Sequence, residues 1–251
     1  MTPRLTITDA TVSYNRVPAV HHLSVTLNSH SLVALVGPNG AGKTTLLKAI
    51  AGLVPMETGK VVVHGGNRKN AIAYVPQREA VDWDFPITVR GLAEMGRYPS
   101  LGLWRKFGAE DDRIVEESLH VTELEAFADR QIKALSGGQQ QRAFLARAWA
   151  QQAEIYLLDE PFTGLDRNAQ EAFSGALQKL RESGKLIIAS HHDLKSVPEL
   201  FDHVLLINGE LVASGPTSDT FTNANIEKTF AMKIFSGSEP HHHHHHEPHQ
   251  A

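Results

Sequence analysis

Three short groups of residues carry the types that chemistry needs: GPNGAGKT at 37–44, the acidic pair Asp159-Glu160, and SHHD at 190–193. The first satisfies G-x-x-x-x-G-K-[ST], in which glycines without Cβ atoms let consecutive N–H groups turn inward on a phosphate chain at the positive end of a helix. Lys43 is expected to reach the β- and γ-phosphates of a nucleoside triphosphate and Thr44 to offer its hydroxyl to Mg²⁺. The predicted binding run is Gly37, Pro38, Asn39, Gly40, Ala41, Gly42, Lys43, Thr44 and Thr45. The bland alternative is a glycine-rich turn before an ordinary helix. Asp159 suits the acidic position that holds a Mg²⁺ water shell, and Glu160 is then placed to polarise a water for attack on the γ-phosphate. The same pair could instead cap a helix or form a surface ion pair.

These groups need elements to hold them. Ser31 opens a short apolar run of strand length, and from Lys43 the residues Leu46, Leu47, Ile50 and Ala51 recur at helical spacing, so the glycine loop joins a strand to a helix. Ile155, Tyr156, Leu157 and Leu158 form a continuous apolar run, as expected of a parallel strand covered on both faces, and it ends in the acidic pair. Another buried strand, 186–189, delivers Ser190, His191, His192 and Asp193. Upstream, residues 5–30 alternate in strand fashion and predict an antiparallel sheet, with Tyr14 as a half-buried strand aromatic. Residues 59–64 and 71–75 read as strands with a turn at Gly65-Gly66 between them, and 204–212 as a hairpin around Asn208-Gly209. From 78 to 134 helical periodicity dominates, broken at Pro86, Pro99 and Gly108; Glu110, Asp111 and Asp112 open one helix with the charge that suits its N-terminus. Leu135-Ser136-Gly137-Gly138-Gln139 leads into a helix that Ser136 can cap, and 166–181 is amphipathic. The fold class is α/β: a phosphate-loop NTPase core with an antiparallel β subdomain and an inserted helical subdomain.

Composition narrows the function. The 251 residues are 41% hydrophobic and 21% charged with a net charge of −4, which describes a globular chain without the basic footprint of a nucleic-acid motor. No apolar stretch reaches the roughly 18 residues of a membrane span, and MTPRLTITDA lacks a secretory apolar core, so the expected location is cytoplasmic. Cysteine is absent, which excludes disulfides and thiolate metal sites.

The ordered set GPNGAGKT, Gln77, LSGGQ, LLDEP, GLD and His192 resembles the nucleotide-binding subunits of ABC transporters over about residues 4–230. That resemblance implies ATP and Mg²⁺ as cofactors, with Thr44, Gln77 and Asp159 around the metal and Glu160, Gln77 and His192 as catalytic residues. It implies a head-to-tail homodimer in the ATP-bound state, each ATP lying between one phosphate loop and Ser136, Gly137, Gly138 and Gln139 of the other copy. Asp166 would sit in the loop crossing to that copy, and Tyr14 would stack on adenine, reversing the bland reading above. Thr163-Gly164 stands where many members have Ser-Ala, a departure expected to matter little. The implied location is the cytoplasmic face of the membrane, beside permease subunits, with no nucleic-acid partner.

YVPQR at 74–78, VDWDFP at 81–86, MGR at 95–97 and SGGQQQR at 136–142 resemble the ATPase subunits of bacterial manganese, zinc and iron importers, which implies an extracellular metal-binding protein in the complete system. By that resemblance the stretch after Gln77 lies in the insertion that meets the membrane subunits, so its identity should track the partner; the bland alternative, compatible with it, is that Trp83 and Phe85 merely pack the insertion. An ATPase for another cargo, such as an iron chelate, and a soluble non-transport scaffold are the competing readings. The domain reading is a nucleotide-binding domain at 1–235, its helical insertion at 78–134, and a His-rich tail at 236–251. Seven of the 15 histidines fall in that tail, with Glu-Pro-His on both sides of the run, and it reads either as a purification tag or as native low complexity. If native, it would chelate Zn²⁺, Ni²⁺ or Cu²⁺ more strongly than Mn²⁺.

Overall fold

The computed structural model describes residues 2–14, 17–65, 70–101 and 105–231, the side chains of Tyr14 and Val17 excepted. The expected adenine contact of Tyr14, Gly66 of the Gly-Gly turn and the His-rich tail therefore lie outside the described residues. Among the described residues nine strands follow in chain order: β1 (Pro3–Tyr14), β2 (Val17–Asn28), β3 (Ser31–Val36), β4 (Thr58–Val63), β5 (Ile72–Val75), β6 (Ile155–Leu158), β7 (Leu186–His191), β8 (His203–Asn208) and β9 (Glu210–Pro216). They form two sheets. The first three-stranded sheet is antiparallel in the order β2-β1-β4, and the second has the order β5-β6-β7-β3-β8-β9, parallel except for the β8-β9 hairpin.

Every residue of β3 is buried, because both of its faces are covered. Leu32, Ala34 and Val36 face one hydrophobic cluster and Val33 and Leu35 another, which is the period of two expected of a central parallel strand. The second cluster is closed by the small antiparallel sheet through Leu5, Ile7 and Leu23, and by Leu46 and Leu47 of α1 (Lys43–Ile50). The insertion supplies α2 (Val89–Met95), α3 (Tyr98–Leu101) and α4 (Ala109–Val121), and it is followed by α5 (Gly137–Ala150) and α6 (Arg167–Glu182). Phe144 and Leu145 of α5 and Phe173 and Leu177 of α6 cover the first cluster's face of the large sheet. Each such side chain contributes about 1.5–3 kcal/mol when fully buried.

Val89, Leu92, Val115 and Leu119 of the insertion belong to the same cluster as Phe144, so the insertion is joined to the core through α5 rather than cored separately. A second tie is polar: Arg97 donates through Nε to Asp111 Oδ1 at 3.0 Å and through Nη1 to the Ala150 carbonyl at 2.7 Å. Gly96 makes this approach feasible, since a Cβ there would lie 2.1 Å from the Arg147 carbonyl oxygen. Glu110, Asp111 and Asp112 stand in the first turn of α4, as the sequence predicts. Asp111 accepts from the Gly108 N–H at the start of α4, but its side chain is fully buried between Arg97 and Arg105.

Strand order decides where chemistry can gather. β7 lies between β3 and β6, with Val36 opposite His191 and Leu158 opposite Ala189. The carboxyl ends of all three strands therefore emerge side by side, the position at which open α/β sheets bind ligands.

Candidate active site

The loop between β3 and α1 turns tightly: the Ala41 N–H donates to the Pro38 carbonyl at 3.1 Å, and Gly42 has φ +90°. A side chain at Gly42 would be strained by that backbone and would also meet the Ala19 carbonyl at 2.3 Å. α1 carries no acidic residue in its first turn, so its positive end is left to face the cleft. Lys43 folds back over the loop and donates to the Gly37 and Pro38 carbonyls at 2.8 and 2.9 Å. Burial lowers the pKa of its ammonium from the ordinary lysine value, and the carboxylates of Glu160 and Asp159 oppose that shift.

Asp159, 1% exposed, stands just past the end of β6 and collects hydroxyls. Thr44 donates to its Oδ1 at 3.1 Å and Ser190 to the same oxygen at 2.8 Å, while the Tyr74 hydroxyl approaches Oδ2 at 3.4 Å. Glu160 follows with φ +48°, a left-handed backbone that a non-glycine residue adopts at a cost. Its Oε2 accepts from the Gln77 amide at 3.2 Å and from the Thr163 hydroxyl at 3.3 Å. The Thr163-Gly164 departure thus keeps a hydroxyl on Glu160. These groups open on a cleft of about 900 Å³ lined by Asn39, Gly40, Ala41, Gly42, Lys43, Thr44 and Thr45, together with Gln77, Glu160, Thr163 and exposed His192.

His191, next to it, is buried and does something different. Its Nε2 pairs with the Ser196 hydroxyl at 2.7 Å, and its ring packs against Phe162 and Phe201. Burial, helped by neighbouring His192, pushes its pKa down to about 4 against the opposing pull of Asp193. His191 is therefore a neutral anchor below the turn that carries His192.

One chain does not bring every expected residue together. Ser136, Gly137, Gly138, Gln139 and Asp166 line a separate hollow of about 350 Å³. There Ser136 and Gln139 form a reciprocal capping box on α5, the side chain of each accepting from the backbone N–H of the other at 3.4 and 3.0 Å, and Asp166 caps α6 through the Ala169 N–H at 2.8 Å. Arg78, directly after Gln77, reaches towards this helix and donates twice to Gln140 Oε1, at 3.1 and 3.0 Å. Trp83 packs edge-on against Phe144, with ring centroids 5.3 Å apart, whereas Phe85 is 54% exposed.

Sequence reading missed Ser190, Tyr74 and Thr163. All three sit within four residues of a recognised site residue, and for Tyr74 and Ser190 a hydroxyl near a strand end was the available signal, but which carboxylate each would reach depends on strand order.

The family model for ABC transporters matches residues 20–163. The chain is 43% identical over 242 residues to the manganese transport system ATP-binding protein MntB of Halalkalibacterium halodurans, covering 95% of this chain and 96% of that one. It is also 43% identical over 233 residues to the zinc transport system ATP-binding protein TroB of Treponema pallidum, covering 92% and 88%. Among solved structures, a dimeric bacterial ABC transporter cassette superposes with a TM-score of 0.73 at 26% identity, over 84% of this chain and 98% of its own.

Proposed function

This chain belongs to the ABC transporter family as an ATPase, and we propose that it powers import of a divalent transition metal, manganese, zinc or iron, through a separate membrane permease. The observation that carries the cargo class is near-full-length identity to two metal-transport ATP-binding proteins. Those two are equally similar to this chain and are named for different metals, which supports placing metal choice in the permease and an extracellular binding protein rather than here. Among the described residues no helix is long and apolar enough to cross a membrane, in keeping with a peripheral subunit at the cytoplasmic face.

The proposed catalytic roles follow from the cleft. Lys43 exchanges the Gly37 and Pro38 carbonyls for phosphate oxygens, and the loop N–H groups take the rest of the phosphate chain. The family implies Mg²⁺, and the residues fit it: Thr44 and Asp159 set two hard oxygen donors 3.1 Å apart, and Gln77 lines the same cleft as Thr44. When bound, Mg²⁺ neutralises charge on the β- and γ-phosphate oxygens. Glu160 accepts the proton of the attacking water, Gln77 orients that carboxylate, and His192 contacts the γ-phosphate side of the cleft.

The separation of the two hollows supports a head-to-tail homodimer in ATP, in which Ser136, Gly137, Gly138, Gln139 and Asp166 of one copy complete the cleft of the other. Uptake of radiolabelled manganese and zinc into vesicles holding this chain and its cognate permease tests the reading. ATP should drive metal uptake that Lys43→Ala abolishes. ATP-driven accumulation of an organic solute or a metal chelate, with no uptake of the free metals, would overturn it.

A further inference from the structure

We infer that Ser190 is a positioning residue for hydrolysis: its hydroxyl couples the carboxylate of Asp159 to the backbone of Glu160. The inference rests on the proposed role of Glu160 as the base. Ser190 is fully buried in the last part of β7, and β7 lies between the strand of the phosphate loop and the strand of the acidic pair. Its Oγ donates to Asp159 Oδ1 at 2.8 Å and accepts from the Glu160 N–H at 2.7 Å. One hydroxyl is thus used in both directions on consecutive residues, and each bond requires the other's orientation.

The acceptor matters because of the backbone it holds. Glu160 sits at φ +48°, and such a conformation persists only where its surroundings over-determine it. The Glu160 side chain is held by Gln77 and Thr163, both of which lie only partly buried at the cleft, whereas its backbone is held from the buried side by Ser190. Without the serine hydroxyl the peptide N–H loses its partner and the residue is free to leave the left-handed basin, carrying the carboxylate away from the attacking water. Asp159 is less dependent, since Thr44 and Tyr74 still donate to it. Loss of Ser190 should therefore impair the base more than it impairs nucleotide binding.

The test uses the full chain with Ser190→Ala, Ser190→Thr, Glu160→Gln and the Ser190→Ala/Glu160→Gln double variant. Turnover is measured beside trinitrophenyl-ATP affinity in EDTA and the thermal midpoint. A misplacement of about 1 Å costs roughly 10²-fold in rate, so Ser190→Ala should lower kcat by about that factor. KM for ATP and analogue affinity should stay within about twofold of wild type, and Ser190→Thr, which keeps the hydroxyl, should restore most turnover. In single-turnover assays the double variant should be no slower than Glu160→Gln, because both changes act through one group. If alanine fails to fold, Ser190→Cys, close in volume but a weak hydrogen-bond partner, should show the same loss. Wild-type kcat in Ser190→Ala beside an inactive Glu160→Gln overturns the inference while sparing the base. Parallel loss of analogue affinity, thermal midpoint and kcat reduces Ser190 to a structural residue. Persistent turnover in Glu160→Gln removes the base and the inference with it.

Discussion

The amide of Gln77 donates to Glu160 Oε2 at 3.2 Å, tying the second residue past the end of β5 to the carboxylate just past the end of β6. The contact holds Glu160 at the rim of the phosphate cleft while leaving its other oxygen for a water. Glu160→Gln removes the proton acceptor and retains the side chain's size, so hydrolysis should fall by about 10² to 10⁴. ATP binding should survive, because Lys43, Thr44 and Asp159 are unchanged, and the ATP-bound dimer should accumulate. Size-exclusion chromatography in ATP beside a steady-state assay checks both. Monomer alone, with turnover near wild type, would assign the base elsewhere.

A composite site makes a separate prediction. Ser136 lies in a hollow apart from the phosphate cleft, where its own hydroxyl caps α5, so Ser136→Arg places bulk and charge at the proposed docking point of a partner's γ-phosphate without touching its own Lys43. Each Ser136→Arg chain should bind nucleotide and fail to hydrolyse it. Mixing Ser136→Arg with Lys43→Ala chains leaves one site of the mixed dimer with two intact halves, and partial activity should return. Mixtures that stay inactive at every ratio would rule out independently acting sites.

Much of this was legible in the sequence because the signals were local. The span of β3, the glycine loop, the helix from Lys43 and the acidic pair at the end of β6 each depend on neighbours within a few residues. Ser190 was not legible, because its partners lie 31 and 30 residues away and only the placement of β7 beside β6 brings them together. The burial of Asp111 was not legible for a related reason. A helix-opening acid and a buried ion-pair partner have the same local pattern, and Arg97 is 14 residues upstream. His191 and His192 are adjacent in sequence, yet β7 ends at His191, buried like the rest of that strand, and His192 is exposed as the first residue past it.

The ion pair at Asp111 should be needed for stability rather than chemistry. The Asp111 side chain is fully buried, that of Arg97 is 6% exposed, and Arg105 adds a second cation at 2.7 Å. Removing one partner of a buried pair leaves an uncompensated charge and costs about 3–5 kcal/mol. Asp111→Ala should lower urea stability by an amount in that range, and Arg105→Ala, whose side chain is nearly half exposed, by much less. ATPase of the folded fraction should be little changed. Equal stability of Asp111→Ala and wild type would show that the pair is merely tolerated.

His191 sets an acid limit to stability. It is held neutral in the fold with a pKa of about 4, whereas an unfolded histidine titrates near 6.5. Between those values the unfolded chain binds the additional proton, so stability rises with pH in this window; the contribution is fully present above about 6.5 and is lost progressively as pH falls towards 4. Each pKa unit corresponds to about 1.4 kcal/mol, which sets the slope per pH unit. His191→Gln keeps a side chain able to pair with Ser196 but does not titrate. Urea unfolding of both chains from pH 4 to 8, taken as a difference, cancels every group they share. The two curves should run parallel above about pH 6.5, and below it wild type should fall relative to the variant, with a limiting slope of one proton. Parallel curves throughout would mean that His191 protonates in the folded chain as easily as in the unfolded one, and that its burial between Phe162 and Phe201 imposes no penalty on the imidazolium.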